Sequence, residues 1–164
     1  MIFGFNAAEV FQIAVEIEEN GKSFYEKAAA KIDDPDVQAI FKDLALQEVE
    51  HKKKFMELKA KLPQQASQST VFDPNNEMAN YLKMMADGHV FRTSDNVDRK
   101  LAQVKDAVDA LRMAMEFEKD SVIFFLSMQD ATEEEKGRQF IGLLVKEEQE
   151  HLRRLALQLK KMAH

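Results

Sequence analysis

Two groups of residues recur in this chain at a fixed offset of 100, and that periodicity limits the fold before any other feature does. Ala14-x-Glu16-x-Glu18 returns as Ala114-x-Glu116-x-Glu118, and Glu48-x-Glu50-His51 returns as Glu148-x-Glu150-His151. Phe24-Tyr25 returns as Phe124-Phe125. The helix-start signals keep the same register. Asn6-x-x-Glu9 and Asp106-x-x-Asp109 each set a side-chain acceptor over free backbone N–H groups, with an acid three residues on. Whatever the first half forms, the second must form too.

Within each half the apolar positions step by three and four, the spacing that lines one face of an α-helix. The pattern predicts helices over 7–32, 35–62, 107–130 and 133–162. Asp34-Pro35 gives the second a cap and a first-turn proline, and Thr132-x-x-Glu135 reads as a capping box for the fourth. Such short turns force each pair to run antiparallel, as one hairpin over 7–62 and another over 106–162. Residues 63–105 carry the turn clusters "LPQQASQST", "DPNNE" and "RTSDN" around a single short helical candidate, Glu77–Asp87. A helix of this size is about 40 Å long, so a connection of that length can return along the bundle and start the third helix beside the first. The expectation is an all-α, antiparallel four-helix bundle forming one domain over 1–164. Asn20-Gly21 is ordinarily a turn signal, yet the stripe Phe11, Ala14, Glu18, Tyr25, Ala29, Ile32 keeps its phase through it. Gly21 is therefore expected inside a helix, leaving room for a neighbouring helix or a ligand.

On the second helix the inner stripe runs Phe41, Leu44, Ala45, Glu48, His51, Lys52, Phe55, Leu62, and on the fourth Ile141, Leu144, Val145, Glu148, His151, Leu152, Leu155, Leu159, Met162. Glu and His interrupt both near the middle, one helical turn apart. Glu18 and Glu118 interrupt the first and third helices in the same way. Four carboxylates in one low-dielectric layer would repel one another and lose hydration, at several kcal/mol per ion. Two divalent cations balance that charge. One Glu from each of two helices, with Glu-x-x-His from each of the other two, is the ligand set of a dinuclear carboxylate site in a helical bundle. Oxygen ligands with one imidazole per metal suit iron or manganese and do not exclude zinc or cobalt. Glu16, Glu50, Glu116 and Glu150 fall off the stripe and read as solvated charges. His89 in the crossover and His164 at the C-terminus are not expected as ligands.

Composition narrows the partners. A net charge of -6 over 164 residues argues against nucleic acid or an anionic membrane. The basic runs "HKKKF" and "LRRLALQLKK" lie late in predicted helices, where cations favour the negative end of the macrodipole. With no cysteine, the chain can hold neither a disulfide nor a thiolate iron centre. No run approaches the roughly 20 apolar residues of a membrane span, and "MIFGFNAAEV" lacks a basic leader, so a cytoplasmic location is expected.

The segments "EENGKSFYEKAA", "IFKDLALQEVEH" and "VKEEQEH" resemble the ferritin-like diiron-carboxylate proteins, and within them the rubrerythrin group. The likeness covers the two hairpins, and the paired Glu-x-x-His motifs are similar to those of rubrerythrins and bacterioferritins. It implies a ferritin-like bundle and a pair of metal ions, most readily iron, on Glu18, Glu48, His51, Glu118, Glu148 and His151. Tyr25 matches a family tyrosine that hydrogen-bonds a ligand carboxylate. Three departures stand out. There is no rubredoxin domain, so electrons would come from an external donor protein. Ser121 replaces an additional glutamate, and Phe125 lacks the hydroxyl of a second tyrosine, so the two halves of the site should be electronically unequal. The resemblance implies a non-haem dinuclear iron oxidoreductase that reduces peroxide or dioxygen. The alternatives are iron oxidation for storage or delivery, or a bundle that metal merely stabilises. Leu46, Val49 and Met56 form a second apolar strip that would suit a homodimer or contact with the crossover.

Overall fold

The computed structural model describes residues 7–61, 77–132 and 135–163, and they form six helices: α1 (Ala7–Lys31), α2 (Pro35–Ala60), α3 (Glu77–Asp87), α4 (Ser94–Gln103), α5 (Ala107–Ala131) and α6 (Glu135–Met162). No strand occurs among the described residues. Helices α2 and α5 begin where the sequence predicts. Asp34 caps α2, its carboxylate accepting from Val37 N–H at 3.0 Å with Pro35 in the first turn, and Asp106 caps α5 by accepting from Asp109 N–H at 2.8 Å. The expected cap at Asn6 lies outside the described residues, as do Leu62, "LPQQASQST" and His164. The expected α6 capping box is interrupted by two undescribed residues, and the Thr132 hydroxyl donates to the Met128 carbonyl at 2.6 Å.

α1 and α2 form one hairpin and α5 and α6 the other. The pairs Asp43–Arg154, Gln47–His151 and His51–Glu147 run in opposite directions along the chain, so α2 and α6 are antiparallel across the bundle. Tyr25 meets Glu118 across the α1–α5 seam. The two halves are thus related by a pseudo-twofold axis, the spatial form of the repeat.

One expectation for the crossover is corrected. It holds a second helix, α4, where "RTSDN" reads as loop. Thr93 caps it through a reciprocal box, its hydroxyl accepting from Asn96 N–H at 3.2 Å while Asn96 Oδ1 accepts from Thr93 N–H at 3.0 Å. Val97 and Leu101 bury the inner face. The crossover lies on the α1–α5 seam. Asn20 Nδ2 donates to the Phe91 carbonyl (2.9 Å), Arg92 pairs with Glu16 (2.8 Å), Lys27 pairs with Asp98 (2.9 Å), and Asp120 accepts from Val90 N–H (2.9 Å).

Rings fill the core in two groups. Phe24 packs on Phe41 and Phe91, and Phe91 on Phe117, with centroids 4.7–6.0 Å apart; Phe55 packs on Phe11 and Phe125 at 6.3 and 4.9 Å. Burying a ring of this kind contributes about 1.5–3 kcal/mol, which offsets the cost of the polar layer. Gly21 lies inside α1, as its phase predicts. A Cβ there would fall 2.3 Å from Phe117 Cζ, so the missing side chain makes room for that ring.

Candidate metal centre

Glu18, Glu48, Glu118 and Glu148 are fully buried, and His51 and His151 nearly so, in one layer at mid-bundle. Each reaches the layer because it takes a core-facing position in its helix, and the repeat places the second three opposite the first three. The imidazole Nδ1 atoms face inward. His51 Nδ1 lies 2.8 Å from Glu148 Oε1, 3.2 Å from Glu18 Oε2 and 3.5 Å from Glu48 Oε2. His151 Nδ1 lies 3.2 Å from Glu148 Oε2, 3.4 Å from Glu118 Oε1 and 3.5 Å from Glu48 Oε1. The rings stack with centroids 5.3 Å apart and planes within 10°.

The donor atoms gather in two overlapping sets, Glu18, Glu48, His51, Glu148 and Glu48, Glu118, Glu148, His151, each with its ligand atoms within 4.8 Å of one another. Glu48 and Glu148 belong to both sets. Within the layer, Glu18 Oε1, Glu118 Oε2, both oxygens of Glu48 and of Glu148, and His151 Nδ1 are buried without a hydrogen-bond partner. Buried polar atoms are otherwise almost always paired, because leaving one unmade costs several kcal/mol. Unpaired oxygens on four carboxylates, with an inward-facing nitrogen from each of two imidazoles, form a donor set that fits two cations.

Burial and mutual charge shift every titratable group of the layer. Burial, then the charges of Glu48 and Glu148, push Glu18 well above the usual carboxylate range, and burial with the same two charges does so for Glu118. Burial and the Glu148 charge would raise Glu48 too, but the polar contacts of Glu18 and both imidazoles hold it below that range. Burial likewise works against ionised Glu148, and the His51 charge with the donors around it overcomes this and holds it far down. Burial opposes a charged imidazole, yet the adjacent Glu148 charge, aided by Glu18 and Glu48, raises His51 strongly. Against the same opposition, the close carboxyl groups of Glu118, Glu148 and Glu48 push His151 up to about 12. Glu18, Glu118, His51 and His151 are thus shifted toward holding a proton, and Glu48 and Glu148 toward the ionised form.

Tyr25 Oη donates to Glu118 Oε1 from a fully buried position. Burial first, aided by the nearby Glu48 and Glu148 carboxylates, keeps this phenol neutral, and so able to donate. Phe125, its counterpart in the repeat, packs on Phe55 and Phe124.

Two residues of the site do not declare themselves in the sequence. His51 Nε2 lies 2.6 Å from Glu147 Oε2, and His151 Nε2 lies 2.7 Å from Gln47 Oε1. Both stand immediately before a buried Glu of the repeat, but off the apolar stripe. The register of the repeat, combined with antiparallel α2 and α6, would have exposed them.

The residues set aside by phase are indeed away from the layer. Glu16 pairs with Arg92, Glu50 with Lys53, Glu116 with Lys100 and Glu150 with Arg153. His89 belongs to neither donor set. It is buried even so, with Nε2 at 3.0 Å from Ser121 Oγ and Nδ1 accepting from Phe91 N–H at 3.1 Å.

A family model described as Rubrerythrin matches residues 9–159. A crystal structure of a ferritin-like diiron-carboxylate protein from Thermotoga maritima superposes on all of this chain and all of its own, with a TM-score of 0.68 at 19% identity. That likeness establishes the ferritin-like fold. No curated protein matches. No helix among the described residues is long and apolar enough to cross a membrane.

Proposed function

Since the chain belongs to the rubrerythrin family, we propose that it is a non-haem dinuclear iron oxidoreductase that reduces hydrogen peroxide with electrons from a separate donor protein. The observation that carries this reading is the set of unpaired buried oxygens shared between two donor groups with Glu48 and Glu148 in common. Glu18, Glu48, His51 and Glu148 would hold one ion and Glu48, Glu118, Glu148 and His151 the other, Glu48 and Glu148 being common to both sets and His51 and His151 offering their Nδ1 atoms. The chemistry such a ferrous pair supplies is the delivery of two electrons, which with two protons convert one hydrogen peroxide to two waters. The protein's part is to hold the carboxylates in a dry layer, where their charges are little screened. Tyr25 orients Glu118 through its hydroxyl and keeps a proton on a group that touches the ligand shell. The absence of cysteine supports an external electron donor, because the chain can supply no thiolate iron centre.

The test is anaerobic loading with Fe(II), followed by rapid mixing with peroxide or with dioxygen. The expected result is two Fe(II) per chain, oxidised faster by peroxide, with uptake and oxidation lost in Glu48→Ala and His151→Ala. Uptake of many iron ions per chain would instead favour storage, and tight binding with no oxidation would leave only a structural metal.

A further inference from the structure

The two imidazoles are backed differently. Behind His51 stands a carboxylate: Nε2 meets Glu147 Oε2 at 2.6 Å, and Lys54 Nζ holds the other oxygen at 3.1 Å. Behind His151 stands an amide. Gln47 Oε1 meets Nε2 at 2.7 Å, while Gln47 Nε2 donates to Asp43 Oδ2 at 2.8 Å, and Arg154 donates to the same oxygen at 2.6 Å. Asp43 can only accept there, which fixes the amide and makes its oxygen the acceptor facing His151. Each arrangement ends in an acid paired with a base. In one the carboxylate touches the imidazole, and in the other an uncharged group separates them.

A metal-bound imidazole becomes a stronger donor when its far N–H is bonded to a carboxylate, and outer partners of this kind change metal affinity by about 10- to 100-fold. The tyrosine acts in the same direction. Tyr25 draws electron density from Glu118, in the set that contains His151, whereas Glu18, in the set that contains His51, accepts from no hydroxyl among the described residues: its Oε2 meets His51 Nδ1 and its Oε1 has no partner. Two independent contacts therefore enrich one position and deplete the other.

We infer that the two positions load in order: a divalent cation fills the Glu18–Glu48–His51–Glu148 position first and more tightly, with Glu147 as the positioning residue that sets the preference. This rests on the metal-binding reading given above.

The experiment titrates Co(II) into the metal-free full-length protein, followed by calorimetry and by cobalt d–d absorbance, together with anomalous diffraction from crystals holding one equivalent. Two steps separated by about tenfold or more, with the first equivalent beside His51, are expected. Glu147→Gln should weaken the first step by about tenfold and leave the second unchanged. Glu150→Gln removes a charge from the same helix without touching an imidazole, and should alter neither step. Two indistinguishable steps, first occupancy beside His151, or equal effects of the two substitutions would overturn the ordering while leaving metal binding intact. Failure of the wild-type protein to take up cobalt and Fe(II) alike would overturn the metal reading itself, and the ordering with it.

Discussion

Tyr25 gives its hydroxyl hydrogen to Glu118 across the α1–α5 seam, whereas Phe125, which holds the equivalent place in the second half of the repeat, has no hydroxyl to give. The duplicated scaffold is symmetric in its helices and asymmetric in its hydrogen bonding. The asymmetry survives at single positions because a ring at either one fills the same space.

That relationship makes Tyr25→Phe a clean probe. The ring and its packing on Phe41 and Phe117 remain, and only the donor to a buried carboxyl is removed. The metal-free protein should lose about 1–3 kcal/mol, read from urea unfolding. An unchanged midpoint with an unchanged slope would show that the hydroxyl does not support Glu118.

The proton-filled layer sets the sign of the pH dependence. The raised values of His51 and His151 mean that the folded chain keeps two protons that unfolded histidines, near pH 6.5, release. The stability they contribute is full below pH 6.5 and erodes as the pH rises toward the folded values, by up to about 1.4 kcal/mol per proton per pH unit. Raised Glu18 and Glu118 act in the same sense from about the ordinary carboxylate range upward. His89 has the opposite sign. Burial first, then the Arg92 charge, lower it to about 3 against the pull of Glu148, so its contribution is full above pH 6.5 and lost as the pH falls toward 3. Metal-free protein should therefore melt at lower temperature at pH 9 than at pH 6.5, and metal should abolish the decline by displacing the protons. A melting temperature that rises over this interval without metal would contradict the proton inventory.

Gly21 provides a packing test remote from the ligand chemistry. Gly21→Ala gains up to about 1 kcal/mol of helix propensity, but its Cβ would collide with the Phe117 ring, 2.3 Å from Cζ. Overpacking of this kind costs about 1–3 kcal/mol, so net destabilisation is expected in chemical unfolding. Phe117→Leu in the same chain should recover part of the loss through a non-additive coupling. Strict additivity of the two changes would mean that ring and methyl do not meet.

The long helices and the polar interruptions were readable in the sequence because both depend on helical phase, and phase needs only one chain segment at a time. Glu18 and His51 are conspicuous as charges on an apolar stripe. Glu147 and Gln47 are not, since they sit off that stripe and acquire their role only when the neighbouring helix runs antiparallel. Helix α4 escaped for a local reason: in "SDNVDRKLAQ" only Val97 and Leu101 are buried, and the cap partner is Asn96 rather than the Glu or Gln of the usual box. His89 lies outside both donor sets, and its burial against Ser121 joins residues 32 apart and has no local signal.

The crossover rests on one seam of the bundle and, among the described residues, leaves the other to side-chain pairs between α2 and α6. Asp43–Arg154 and Lys54–Glu147 are partly exposed, so dissolved ions weaken them. The molecule is in that respect a book bound along one spine. On the side away from that spine the two imidazoles depend on contacts that added salt would loosen first.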